Sequence, residues 1–294
     1  MHPSALKQET VWLGEVLAEV ERQYEEACQR DDEVKDDALD TQRELWEGVG
    51  SIAASDGLDK LVDFLEFINI MQKQKRSHGI LSAQKAKYEK MLYSPYFGRI
   101  DFQMDTEESA RPYYIGPFML MTNDNRMMVY DWRAPVSGMF YDDEIGPASF
   151  ASPRGTISGT LSLKRQYRIA RGKLDYCVDS SLKIDDEVLQ QILAQHTDGR
   201  MATIVSSIQR EQNRAIRNEA YRHLIIEGVA GSGKTSVALH RIAYLLYRHR
   251  DTISAKNIII FSPNSVFGDY IANVLPELGE ENMLQTTFEA FLHG

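Results

Sequence analysis

The sequence predicts a multi-domain α+β protein. It reads as an antiparallel helical hairpin, then a small antiparallel β module, then the start of a phosphate-loop α/β domain. Three observations carry this reading. Apolar residues recur every 3.5 positions across residues 13–45. Short aromatic and β-branched runs, separated by Pro and Gly turns, fill residues 94–181. From residue 223 a short apolar run, a glycine-rich loop and an amphipathic helical pattern follow in that order. The expected boundaries are 1–93, 94–181 and 182–294.

In the first region, alternating steps of four and three from Leu13 reach Leu17, Val20, Tyr24, Ala27, Asp31, Val34, Ala38, Thr41 and Leu45. A 3.5-residue apolar repeat is a coiled-coil seam and needs a partner helix. Gly48, Gly50 and Gly57 mark a break, and Ser55 is placed to cap a second helix with Leu58, Leu61, Leu65 and Ile68 on one face. In a hairpin turning at 48–57, residues 31–37 face Lys73, Lys75 and Arg76, and Glu19 and Glu21 face Lys85 and Lys87. Such a hairpin forms an arm.

Charge separates the regions. The first 60 residues hold 16 Asp+Glu against 6 Lys+Arg, and the rest of the chain is balanced, so the net charge of −10 belongs to those 60 residues. That charge repels nucleic-acid phosphates and suits a basic or metal-bearing partner. Even the most apolar stretch, near residues 257–261, is far shorter than the ~18 residues of a membrane span. The start has no secretion-signal pattern, and Cys28 and Cys177 lie far apart, which fits a cytoplasmic protein without disulfide or metal site.

In the second region, residues 113–122 and 126–132 flank Asn123-Asp124-Asn125 as a hairpin, and residues 155–170 and 173–178 flank Arg171-Gly172 as another. Asp142-Asp143-Glu144 reads as a solvated turn before Gly146-Pro147 in preference to a metal site.

The third region carries the chemistry. Helical patterns cover residues 185–195 and 201–217, a strand covers 223–227, a helix 234–247 and a second strand 257–261, which together open a parallel sheet. Between strand and helix, Gly228-Val229-Ala230-Gly231-Ser232-Gly233-Lys234-Thr235 fits G-x-x-x-x-G-K-[ST] throughout. Glycines let successive backbone N–H groups converge on phosphate oxygens, and the following helix presents its positive end. Lys234 is the residue for the β- and γ-phosphates and Thr235 for Mg²⁺. Ser236 follows. The expected ligands are therefore a nucleoside triphosphate and Mg²⁺.

Sixteen residues before the loop stands Gln212, followed by Ala215 and Ile216. Alone this is a charged helix. In its place and order it resembles the Gln-x-x-Ala-hydrophobic element of superfamily 1 helicases and translocases, whose glutamine reads adenine. The resemblance implies ATP over GTP, through Gln212, with Gln209 as the alternative. Ser262, Pro263 and Asn264 after the second strand, and Thr287 and Phe288 after Gln285-Thr286, resemble that superfamily's single-strand-binding motifs and imply contact with nucleic acid. The whole third region thereby resembles the start of a RecA-like motor domain. Ser236 departs from the arginine many members carry.

Tyr93-Ser94-Pro95-Tyr96-Phe97-Gly98-Arg99-Ile100-Asp101-Phe102, Tyr130-Asp131-Trp132-Arg133-Ala134-Pro135, Leu163-Lys164-Arg165-Gln166 and Pro276-Glu277-Leu278-Gly279-Glu280-Glu281-Asn282-Met283 narrow the likeness to the HelD family. These are bacterial helicase-like ATPases that associate with RNA polymerase and release it from nucleic acid. The resemblance implies an RNA polymerase core partner, an arm that enters its secondary channel, and Asp56 and Asp59 at the arm's tip near a catalytic metal. Those two carboxylates serve equally to favour the start of the second helix through its dipole. A DNA-unwinding helicase and an adaptor that holds ATP as a structural ligand are the two alternatives. No strand ending in Asp-Glu and no arginine-finger segment follow the loop. This 294-residue chain is accordingly expected to be the N-terminal portion of a longer ATP hydrolase, and not competent alone.

Overall fold

The computed structural model describes residues 3–49, 57–179, 210–229, 231–278, 280 and 283–293. The chain divides into two compact units, one of Glu9–Tyr93 and one of Ser94–Gly294 with the first eight residues.

Two long helices make the first unit, α1 (Pro3–Val49) and α2 (Gly57–Tyr93). Pro3 suits a first turn because its missing N–H has no partner there in any case. Gly48 does not end α1. The two helices lie antiparallel, as the pairing of Tyr24 with Glu89 and of Asp31 with Lys85 requires, and Ser55 and Asp56 fall outside the described residues. Asp59 lies on the opening turn of α2. The buried stripe of α1 holds Leu13, Val16, Val20, Ala27 and Asp31. It keeps the expected seam with one correction: Val16 is fully buried where Leu17 was expected, and Leu17 is half-buried. The cause is the 3.6-residue turn of a real helix, which drifts against a strict 3.5 repeat and permits a local step of three.

Asp31 is a polar member of that stripe, as is Glu9, and is only 1% exposed. Lys35 on its own helix lies 2.8 Å away, and His78 and Lys85 reach it from α2, the latter at 3.1 Å. A charge so placed must be paired. Further along, Tyr24 donates to Glu89 at 3.1 Å and Tyr88 to Gln23 at 2.9 Å. These contacts correct the expected register. Lys85 meets Asp31, about three turns from Glu19 and Glu21, and Glu19 is engaged by Arg22 and Gln23 of its own helix. The buried stripe sets the register, because exposed ion pairs contribute only ~0–1 kcal/mol each.

In the second unit a seven-stranded sheet runs β3-β4-β2-β1-β6-β5, with β7 beside β6. The strands are β1 (Gly98–Met104), β2 (Arg111–Gly116), β3 (Leu120–Met121), β4 (Met127–Asp131), β5 (Gly146–Ser152), β6 (Gly155–Ala170) and β7 (Lys173–Asp179). All pairs are antiparallel except β2 with β4. The 155–178 hairpin forms as expected, with Arg171 and Gly172 at φ 53° and 69° in its turn. The 113–132 segment differs. Gly116-Pro117 splits the expected first strand, since proline cannot donate to a ladder, and only Leu120–Met121 pairs across the turn with β4. A short helix, α3 (Gly138–Asp142), precedes β5.

Among the described residues there follow α4 (Arg210–Ile216), α5 (Lys234–Arg248), β8 (Ile259–Phe261), α6 (Ser265–Glu277), β9 (Leu284–Thr286) and α7 (Phe288–His293). β8 and β9 pair in parallel, as the expected α/β architecture requires. The strand expected at 223–227 does not form. Those residues take no regular structure and Ile225 is 84% exposed, because a strand needs a paired neighbour and β8 and β9 bond to one another. β8 is also shorter than expected: Ala255–Asn257 is a 3₁₀ turn, capped by the Ser254 backbone N–H donating to the Asn257 side chain at 2.9 Å. The expected helix at 185–195 lies outside the described residues. Sheet residues such as Phe102, Ile115 and Leu161 and helix residues such as Ile216, Ala243 and Leu275 share one core. The β module and the phosphate-loop segment thus pack as one body.

The salt links of Asp31 generate a pH prediction. Its carboxyl is held well below the ordinary carboxylate range by its hydrogen bond to Lys35, then by His78 and Lys85, against the opposing effect of burial. Its stabilising contribution is therefore present above the unfolded value of about 4 and is lost as pH falls below it. The melting temperature of the wild type should exceed that of Asp31→Asn at pH 7, and the gap should narrow progressively as pH falls from about 4 toward 2. A gap independent of pH contradicts this account.

Candidate nucleotide site

The phosphate loop is built by two left-handed glycines. Gly231 and Gly233 have φ 82° and 81°, a region that costs a residue with a Cβ roughly 1–2 kcal/mol. Gly228 is fixed by proximity, since a Cβ there lies 2.5 Å from Ser232 Oγ. Gly233 is the N-cap of α5, so Lys234 and Thr235 occupy its first turn. Lys234 Nζ donates back to the carbonyls of Gly228 at 2.8 Å and Val229 at 2.7 Å. The lysine thus closes a small ring on its own loop, held by two backbone acceptors. Ser236 faces down its helix, with its carbonyl accepting from His240 Nδ1 at 2.7 Å. Val229 is exposed and Ala230 lies outside the described residues.

Gln212 of α4 stands beside this loop. Its Nε2 is 3.5 Å from Ser232 O, and a Cβ on Gly233 would lie 3.2 Å from the same atom. The helix that presents Gln212 is described over Arg210–Ile216. It is fastened at three points. Arg241 of α5 donates to the carbonyls of Ala215 and Ile216 at 2.8 and 3.2 Å, satisfying its C-terminal end. Asn213 Nδ2 donates to Asp142 at 2.8 Å, and Arg210 pairs with Glu144 at 3.1 Å. Arg217 Nη1 donates to the carbonyls of Arg133 at 3.1 Å and Ala134 at 3.3 Å, Nη2 to that of Trp132, and Nε to Asn213 Oδ1 at 3.0 Å.

The 131–137 loop that receives Arg217 is itself stiff. Asp131 accepts two bonds from the Arg133 guanidinium, both at 2.8 Å, and Ser137 Oγ donates to Asp131 O at 2.7 Å. Arg133 also pairs with Glu280 and lies 4.8 Å over the Tyr247 ring. Burial lowers its pKa, but Asp131 and Glu280 outweigh this and raise it. Trp132 meets His240 of α5 edge-on at 5.4 Å. Asp142-Asp143-Glu144 is consequently more than a solvated turn: Glu144 is exposed, while Asp142 anchors α4 and the Asp143 carbonyl accepts from Lys164 at 3.1 Å. Burial and then Asp142 raise the pKa of the Asp143 carboxyl. Among the described residues no cluster suits a metal ion.

The candidate nucleic-acid residues gather at the C-terminal ends of β8 and β9, where Ser262 N–H donates to Thr286 O at 2.9 Å. Asn264 Oδ1 accepts from Phe267 N–H and Thr287 Oγ1 from Ala290 N–H, so both cap helices. Pro263 is exposed, and Phe288 is exposed 6.3 Å from Phe261. Sequence reasoning missed Arg217 and Asn213. The signal was a basic and an amide residue one turn apart beside Gln212, which is uninformative without the 131–137 carbonyls.

A P-loop, a flanking glutamine helix and a parallel strand pair define a helicase-like motor class, and residues 208–265 match the UvrD/REP helicase N-terminal domain. Residues 6–197 match DNA helicase IV HelD, N-terminal domain, and the chain belongs to the HelD family. Among curated proteins none matches it.

The geometry predicts that Gly233→Ala weakens MgATP binding by about tenfold or more, from the left-handed backbone and the crowding of Gln212. Titration with a fluorescent ATP analogue reads it, and an unchanged Kd contradicts the assigned geometry.

Proposed function

We propose that this chain is the N-terminal portion of an ATP-dependent, cytoplasmic, helicase-like factor that binds RNA polymerase core and promotes its release from nucleic acid. Its parts are an arm at 1–93, a β module at 94–181 and a motor segment at 182–294. The observation that carries the nucleotide half is the ring closed by Lys234 on its own loop carbonyls, beside Gln212. Gly228, Gly231, Ser232 and Gly233, with Val229, Ala230 and Ser236, frame the phosphates. Lys234 moves to the β- and γ-phosphates, Thr235 holds Mg²⁺, and Gln212 both donates to and accepts from an adenine edge. Bound Mg²⁺ neutralises charge on the transferred phosphoryl group.

The polymerase half rests on the charge of the hairpin and on the family. An arm of residues 1–93 with 19 Asp+Glu against 12 Lys+Arg, its acids concentrated in the first 60 residues, is repelled by DNA and attracted to a basic, metal-bearing channel. Asp56 and Asp59, at the turn end of the hairpin, approach the catalytic centre in this reading. Nucleic acid is contacted through Ser262, Pro263, Asn264, Thr287 and Phe288. A superfamily 1 DNA-unwinding helicase is the second reading, favoured by the exposed Phe261 and Phe288 pair, on which bases can stack. Among the described residues no helix is long and apolar enough to cross a membrane.

Two outcomes follow. In the intact protein, Lys234→Ala should reduce ATP hydrolysis by a factor of about 100 or more, as loss of a group that stabilises transition-state charge does. Phosphate release at the wild-type rate contradicts the assignment. Deleting residues 4–93 should abolish capture of purified RNA polymerase core, whereas Lys234→Ala should not, and the wild-type complex should weaken with salt because exposed charges are screened over ~8–10 Å. Undiminished capture by the deleted protein favours the DNA-unwinding reading.

A further inference from the structure

Gln212 can read a base only if it is held at a fixed place relative to the loop that holds the phosphates. Part of what fixes its helix comes from the β module. Arg217 stands five residues after Gln212, past the C-terminal end of α4. Its guanidinium gathers three consecutive carbonyls, of Trp132, Arg133 and Ala134. Its Nε bonds Asn213, the immediate neighbour of Gln212, whose amide in turn bonds Asp142 at the end of α3. Its face lies 5.2 Å from the Tyr244 ring on α5, the helix that begins at Lys234. Among the described residues no carboxylate hydrogen-bonds to Arg217, and burial pushes its pKa below the ordinary arginine value. A cation kept in such a place, with every bond spent on backbone, an amide and a ring, makes a joint between three elements.

We propose that Arg217 is the positioning residue that sets Gln212 against the phosphate loop, so that the 131–137 loop of the β module governs discrimination between adenine and guanine nucleotides. This rests on the adenine role of Gln212 given above. Arginine is required in this geometry: a lysine ammonium is a single point and cannot span three carbonyls and an amide oxygen. Arg133 and Trp132 serve the same joint from the other side, through Tyr247 and His240 of α5.

The test is the steady-state kinetics of the intact protein with MgATP and MgGTP, for wild type, Lys234→Ala, Gln212→Ala, Arg217→Met, Arg217→Lys, Asn213→Ala and the Gln212→Ala/Arg217→Met pair. We expect Arg217→Met to raise KM for ATP about fivefold, as loss of one hydrogen bond does, and to leave KM for GTP nearly unchanged. Arg217→Lys should not restore the preference. The double variant should lose no more preference than Gln212→Ala alone, because both act through one contact. A general loosening of the fold moves both KM values together, and that result overturns the proposal. If Arg217→Met does not fold, Asn213→Ala decides: it cuts the links to Arg217 and Asp142 and should shift the ATP-to-GTP ratio in the same direction, and an unchanged ratio overturns the proposal. Preference lost in Gln212→Ala but kept in both Arg217→Met and Asn213→Ala overturns this inference alone. Hydrolysis indifferent to Lys234→Ala, or preference indifferent to Gln212→Ala, overturns the reading on which it rests as well.

Discussion

Three carbonyls in a row turn toward one point at residues 132–134, and only a cation with several donors can satisfy them. Arg217 is that cation. An unmade bond to a buried polar group costs ~1–3 kcal/mol, so the loop and the arginine hold each other in place. The loop is prepared for this by the Asp131–Arg133 pair and by Ser137 closing its far end. From this joint the rest of the second unit follows: α4 is set on one side, α5 on the other, and Gln212 and Lys234 come to a common loop.

The same joint gives the β module a role that its strands alone do not indicate. A sheet with few polar groups directed at a ligand serves as a frame, and its connection between β4 and α3 serves as the contact with the motor segment. The hairpin solves a different problem. It places a carboxylate, Asp31, in a largely apolar stripe and surrounds it with Lys35, His78 and Lys85. A buried charge that finds partners at one alignment only is a device for fixing register, as polar seam positions are in coiled coils.

What could be read from the sequence was what depends on local pattern. The phosphate loop was legible because glycine, lysine and threonine at fixed spacing leave few alternatives. The Arg171-Gly172 hairpin and the α1 seam were legible for the same reason. What depends on distant partners was not. Residues 223–227 are apolar enough for a strand yet form none, because strand formation is a property of two segments. The register of α1 on α2 followed the buried stripe and not the exposed charges. Arg217 looks like one more basic residue on a charged helix until the 132–134 carbonyls are brought to it from a stretch some eighty residues earlier.

The central claim is that Lys234 rests on the Gly228 and Val229 carbonyls until a triphosphate takes it, with the base held at Gln212. A crystal structure of the intact protein with Mg²⁺ and a non-hydrolysable ATP analogue tests this most directly. The account predicts Lys234 Nζ transferred from those carbonyls to the β- and γ-phosphate oxygens, Thr235 on Mg²⁺ and the adenine edge against Gln212. A loop left closed by Lys234 at saturating analogue, or a nucleotide bound elsewhere, contradicts it.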